Sequence, residues 1–235
     1  MSRHRAQSPC ERLSYFLAYL ASKIPGIKTG STSASTGLAR GKGLDELLAQ
    51  VLLEDGFSEE LRREPVALPA SSSHAACSTI ASVLTLKECD ALVAMTESLG
   101  FVSAKIDVKG CQELDVDVRN SGRVMIDSPA FASALFLRVK SLLPAHHTDR
   151  HGRTWELVGF NERLRFLRYT VDQYFKPHID GYFQRSSPKG TLHMSFFTFM
   201  VYLDTPERGA GGETNFFVGS DAGEVRCLLL APPPC

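Results

Sequence analysis

Two kinds of hydrophobic spacing divide the chain. From about residue 78 the pattern becomes that of a packed domain, and in two of its segments apolar residues recur every three or four positions, as on one face of a helix. In "TLKECDALVAMTESLG" the stripe is Leu92, Met95 and Leu99. Thr85 and Glu88 stand three apart at its start, the spacing of a capping box, and Gly100 ends it. "SPAFASALFLRVKSLLP" predicts a second helix, capped by Ser128, entered through Pro129 and followed by Pro144. Its stripe of Leu135, Val139 and Leu142 should lie on a sheet. After residue 154 the segments become short and strand-like: "WELVGF", "RLRFLRYT", "QYFKPHID", "MSFFTFMVYL", "ETNFF" and "VRCLLL", separated by Gly, Pro and Asp turns. In the fourth of these, Thr198, Met200 and Tyr202 share one face, and Phe197, Phe199, Val201 and Leu203 the other. Helices followed by short strands predict an α+β fold, with helices packed on one face of an antiparallel sheet or sandwich.

Residues 1–77 read as an extension with short helices and flexible linkers, and residues 78–235 as the folded domain. The start of the chain has several arginines and then a short apolar run, Tyr15 to Ala21. The run is too short to span a bilayer and fits an amphipathic helix that frays. With Glu11 the one acid among the first 26 residues, a transit peptide is the alternative. "GIKTGSTSASTGLARGKG" is a Gly/Ser/Thr-rich linker that lacks the G-x-x-x-x-G-K-[ST] pattern of a phosphate loop. "LDELLAQVLLEDGF" predicts a short helix stopped by Gly56, and residues 64–77 a second loop.

Composition narrows the function classes. The chain has 235 residues, 43% hydrophobic and 22% charged, as expected of a soluble globular protein. Lys+Arg and Asp+Glu are 26 each, and this zero net charge argues against a nucleic-acid binder. The six cysteines have no C-x-x-C spacing, which speaks against a zinc site or a disulfide framework and for reduced thiols. Cytosol or nucleus is the expected compartment, with organelle targeting by the N-terminus left open.

The candidate chemistry lies in "QYFKPHIDGYF", residues 173–183. On a strand, side chains two apart face the same way, so His178 and Asp180 would reach one point. An imidazole nitrogen and a carboxylate oxygen suit Fe(II), whose two-histidine, one-carboxylate sites leave positions open for oxygen and a co-substrate. The bland alternative is a strand end with Asp180 starting a turn at Gly181.

The neighbouring motifs weigh on that choice. "FLRYTVDQYFKPHIDGYF", "SFFTFMVYLD" and "GAGGETNFF", in this order, resemble the prolyl 4-hydroxylase branch of the Fe(II)/2-oxoglutarate-dependent dioxygenases, and "VRNSGRVMID" looks like the segment leading into that domain. The resemblance covers about residues 80–217. It implies a double-stranded β-helix, the cupin-like jelly roll, with iron at one end. His178 and Asp180 match the first two iron ligands, Tyr169 a tyrosine lining the 2-oxoglutarate pocket, and Tyr202 one that bonds the co-substrate's distal carboxylate. Core packing is the other reading of both tyrosines. Thr214 is a further candidate for the pocket wall, and Glu213 reads as a solvated strand residue. The implied reaction hydroxylates a peptidyl residue, typically proline, while 2-oxoglutarate becomes succinate and carbon dioxide, with L-ascorbate restoring Fe(II). A peptide or protein substrate is the expected partner. "DVKGCQELDVDVRN" sits where relatives carry substrate-covering loops, with a solvated loop as the default.

One part of the pattern is missing. The family's third ligand is a histidine on a later strand, followed by a basic residue that clamps 2-oxoglutarate. None of the seven histidines follows "GGETNFF". His193 precedes the wrong strand, and His146, His147 and His151 are expected in a polar loop in solvent. Arg226 comes too early to be the clamp, and Cys227 reads as a buried thiol. The expectation is therefore a jelly roll incomplete at its C-terminus, with an exposed sheet edge and doubtful activity. A non-catalytic interaction module, or a cupin-like metal protein without a co-substrate, are the rival functions.

Overall fold

The computed structural model describes residues 13–24, 42–52, 61–66, 77–108, 111–149, 151–178, 180–186, 190–204, 211–215 and 228–229. In chain order the elements are β1 (Leu13–Ile24), α1 (Lys42–Val51), β2 (Arg63–Pro65), β3 (Ser78–Ile80), α2 (Leu86–Leu99), β4 (Val102–Ser103), β5 (Ile106–Val108), β6 (Cys111–Glu113), β7 (Gly122–Asp127) and α3 (Pro129–Val139). A 3-10 turn, Lys140–Leu142, follows α3. Then come β8 (His146–Thr148), β9 (Thr154–Phe160), β10 (Arg163–Tyr169), β11 (Gln184–Ser186), β12 (Leu192–Tyr202), β13 (Thr214–Asn215) and β14 (Leu228–Leu229). The described residues thus form an α+β fold whose ladders are antiparallel.

The helices start where their local chemistry says they should. Thr85 Oγ1 accepts from the Glu88 N–H at 3.2 Å, and the Glu88 carboxylate accepts from the Thr85 N–H at 2.7 Å, so the capping box of α2 is complete. Ser128 Oγ accepts from the Phe131 N–H at 3.3 Å at the start of α3, where Pro129 has no N–H to satisfy. The three helices are joined by one buried ion pair. Arg138 Nη2 and Nη1 meet the Glu88 carboxylate at 2.7 and 2.8 Å, and the same guanidinium donates to the carbonyls of Val83 and Leu52. Gly56, expected to stop α1, lies outside the described residues.

Sheet and helices bury one common core. Leu48 of α1, Leu92 of α2 and Phe131, Leu135 and Val139 of α3 pack with Val124 and Ile126 of β7, Leu164 and Phe166 of β10, and Val201 of β12. Leu203 belongs to it, and Phe197 and Phe199 pack against it. The face of β12 that carries Phe197, Phe199 and Val201, with Leu203 just beyond, is therefore the one turned to the core. Leu142 is half-buried in the 3-10 turn, and Leu99 remains exposed.

The main sheet differs from the expectation in one respect that matters for the site. Its order is β11-β12-β1-β10-β7-β4, with β9 pairing β1 and β8 pairing β9. Residues 13–24 are thus a strand in the middle of the sheet, not a fraying helix. The run mixes aromatic and aliphatic residues with few β-branched ones, so its local preference is weak, and ladder partners along its whole length decide its conformation. Three other segments expected as loops also pair. Arg63–Pro65 forms a ladder with Ser78–Ile80, the acidic segment forms the β5–β6 hairpin, and His146–Thr148 pairs with Thr154–Glu156. Among the described residues no helix is long and apolar enough to cross a membrane.

Candidate functional site

The segment after β10 is not the strand that its pattern predicts. Residues 171–178 and 180–183 run as turns and irregular backbone, with a single bridge between Phe175 and Arg119. Pro177 supplies no ladder donor, and Asp172 turns the chain at φ 62°. The segment is nevertheless pinned. Asn120 Oδ1 accepts from the Tyr174 N–H at 2.7 Å, and the Lys176 N–H donates to the Val118 carbonyl at 2.9 Å. At the far end the Phe183 N–H donates to Ser195 Oγ at 2.7 Å, and the Ser195 N–H returns to the Phe183 carbonyl at 2.9 Å. These bonds hold the segment between the approach to β7 and the start of β12.

His178 and Asp180 converge within it. His178 Nε2 lies 3.4 Å from Asp180 Oδ1. His178 Nδ1 is 2.8 Å from the Lys176 carbonyl, which accepts a hydrogen bond from a proton carried on Nδ1, while Nε2 faces Asp180 through a shared proton, the position a metal ion would take. Asp180 Oδ2 accepts from Thr198 Oγ1 at 2.7 Å, which ties the carboxylate to β12. The hydrogen bond with His178 is the largest influence on the Asp180 pKa. With Thr198 and the positive charge of Arg165 on β10, it outweighs desolvation and holds the carboxyl below its usual range. Both side chains are about two-fifths open to solvent, His178 at 38% and Asp180 at 42%, so the pair can be reached from outside. Donors bound to one metal at about 2.0–2.2 Å stand about 3.0–3.5 Å apart when adjacent. The observed separation fits such a pair.

A stack supports the histidine. The Phe175 and His178 ring centroids are 3.5 Å apart at 21°, and the Arg119 guanidinium carbon lies 4.4 Å from the Phe175 centroid. Arg119 is only 6% exposed, and its Nε donates to Ser121 Oγ at 2.9 Å. A desolvated cation against an aromatic face contributes about 1–2 kcal/mol. Arg119 thereby links the start of β7 to the ring that carries His178.

The two tyrosines occupy the last positions of β10 and β12. Tyr169 ends β10 with its hydroxyl oxygen buried, and Tyr202 ends β12. The Tyr202 hydroxyl is hydrogen-bonded to Thr214 Oγ1 on β13. Burial pushes the phenol's pKa up, and the bond to Thr214 only partly offsets it. Tyr202 and Thr198 share a face of β12, four residues or about 13 Å apart along the strand. The carboxylate of Asp180 and the hydroxyl of Tyr202 are therefore disposed along one face, Asp180 near its middle and Tyr202 at its end.

The remaining candidates separate. Glu213 is half-buried beside Thr214. His193 is half-buried on β12 opposite Arg185. His147, expected in solvent, packs its ring against Phe196 and Phe197 at 4.8 and 5.0 Å, beside the buried Trp155. His146 and His151 are exposed as expected. Arg226 and Cys227 lie outside the described residues. Among the described residues no three His, Cys, Asp or Glu side chains gather as a metal-ligand group.

Sequence reading overlooked Thr198 as a partner of the carboxylate, Arg165 as a nearby charge, and the Arg119–Phe175 stack. Thr198 was legible as a member of the correct face; the other two depend on contacts between distant segments. No family model matches the chain, and neither the curated proteins nor the solved structures contain a match to it.

Proposed function

We propose that the chain carries a prolyl 4-hydroxylase-type dioxygenase domain, a double-stranded β-helix that uses Fe(II) and 2-oxoglutarate to hydroxylate a peptidyl residue, with proline the first candidate. The observation that supports this most directly is the approach of His178 Nε2 to Asp180 Oδ1 at 3.4 Å, with Nδ1 already engaged by the Lys176 carbonyl. An imidazole nitrogen and a carboxylate oxygen at this spacing are donor types that suit a divalent iron. Among the described residues they are two protein donors without a third.

In this reading His178 and Asp180 would hold the metal. Thr198 fixes the second oxygen of the carboxylate, and the Arg119–Phe175 stack keeps the imidazole plane from turning, an orienting role that outer partners of metal ligands commonly fill. Tyr169 and Tyr202 would orient 2-oxoglutarate through their hydroxyls, which requires Tyr202 to share or release its bond to Thr214. Iron held by His178 and Asp180 would supply the activation of dioxygen for the hydroxylation, with 2-oxoglutarate as the co-substrate that is oxidised to succinate and carbon dioxide. Val171, Tyr174 and Tyr182 of the same segment are exposed and would offer apolar surface to a peptide.

The test is titration calorimetry and turnover with the full chain. Mn(II) in place of Fe(II) should bind, 2-oxoglutarate should bind in its presence, and His178→Ala should abolish both. Succinate formation with Fe(II), ascorbate and a proline-rich peptide would establish catalysis. Absence of metal and 2-oxoglutarate binding would refute the reading. The two-donor arrangement favours a second one, a non-catalytic interaction module of the same fold. Peptide binding independent of metal, with no turnover, would mark that case.

A further inference from the structure

The candidate site is built from two strands that do not pair with each other. β10 pairs with β7 and β1, and β12 pairs with β11 and β1. Tyr169 and Arg165 belong to the first strand, Thr198 and Tyr202 to the second. β1 joins them at the site itself: Tyr15 stands opposite both Leu167 and Tyr202, Leu13 opposite Tyr169, and Leu17 opposite both Arg165 and Met200. Its second half continues between β12 and β9, from Leu20 to Lys23.

We propose that residues 13–24 are a site-assembling strand, whose docking between β10 and β12 sets the two halves of the candidate site relative to each other. A sheet fixes neighbouring strands at about 4.8 Å, so the single intervening strand places β10 and β12 at about twice that spacing. Undocking leaves two facing edges of unpaired N–H and C=O groups. Those edges cannot simply close on each other. Moving β10 onto β12 would draw β7, β9 and the helical core with it, because Leu164 and Phe166 of β10 are packed in one cluster with Val124 and Ile126 of β7, Phe160 of β9 and Leu135 of α3. The ladder partners of β1 all come from residues 156–202, so its docking is a long-range event and a point at which assembly of the site can be controlled. The metal part of this inference rests on the function proposed above; the strand part does not.

The experiment uses the full chain. Leu17→Pro removes a donor and fixes φ at a position with ladder partners on both sides. Hydrogen exchange at residues 163–169 and 192–202 should then quicken by about tenfold or more, while α2 and α3 keep their protection. Unchanged exchange in either strand would overturn the proposal. Against the case that this variant fails to fold, Ser22→Cys with Met194→Cys places two thiols at an opposed antiparallel pair, within disulfide reach. Mild oxidation should join positions 22 and 194 by a disulfide within one chain, identified by peptide mass and absent from either single variant. No such bond, or one formed only between chains, overturns it. Mn(II) binding should weaken about tenfold in Leu17→Pro and persist in the cross-linked chain, whereas equal affinity in both would refute the coupling. If the unmodified chain binds no Mn(II), the site reading fails, and the exchange and cross-link results still decide the strand.

Discussion

Arg138→Met tests the account of how the helices are held beneath the sheet. The guanidinium reaches both Glu88 carboxylate oxygens, at 2.7 and 2.8 Å, and the carbonyls of Val83 and Leu52, each at 2.9 Å. The Arg138 and Glu88 side chains are only 8% and 1% exposed. Methionine matches the stem in length and apolar character, so packing is largely kept. What is lost is the charge that compensates a carboxylate shut off from water. Removing one partner of a buried pair costs about 3–5 kcal/mol, far above the roughly 0–1 kcal/mol of a surface pair. In a chain of this size that lowers Tm by about 6–20 °C. Arg138→Lys keeps the charge but not the fork and should lie between. Arg138→Met combined with Glu88→Leu removes both charges and should be more stable than Arg138→Met alone, although Thr85 then loses half of its capping box. Urea denaturation followed by circular dichroism gives the free energies. A loss below about 1 kcal/mol for Arg138→Met would show that Glu88 is solvated, and would refute the argument.

Three further outcomes follow from the site and the helix starts. The Asp180 carboxyl is held below its ordinary value, so its contribution to stability is complete above about pH 4 and fades as pH falls through the lowered folded value; Asp180→Asn should flatten the acid limb of a Tm-against-pH curve, and an unchanged limb would exclude the pairing with His178. Tyr202→Phe and Thr214→Val each remove one end of the same hydrogen bond, at about 1 kcal/mol in thermal or urea melts, and the double variant should cost little more than either single one; full additivity would show that the bond is not formed. Thr85→Ala should cost about 0.5–2 kcal/mol through loss of the α2 cap, measured by urea midpoint, with no change in metal binding.

What the sequence determined by itself were the features whose partners lie within a few residues. The capping box of Thr85 and Glu88, the Ser128–Pro129 entry to α3 and the opposed faces of β12 all follow from hydrogen bonds or periodicity inside one element. The convergence of His178 and Asp180 was also legible, though for another reason than alternation on a strand: the loop bends, and Lys176 and Thr198 aim the two side chains. Tertiary structure decided the rest. The run from Tyr15 to Ala21 has weak preferences of its own and becomes a central strand because β9, β10 and β12 offer it ladders on both sides. His147 looks solvated in its polar surroundings until Phe196 and Phe197 arrive from β12. Glu88 reads as a capping residue, yet it also faces Arg138, fifty positions later. Local hydrogen bonds are written in spacing that a single segment carries, whereas burial and sheet pairing depend on which distant segments reach the same place, and no window along the chain contains both partners.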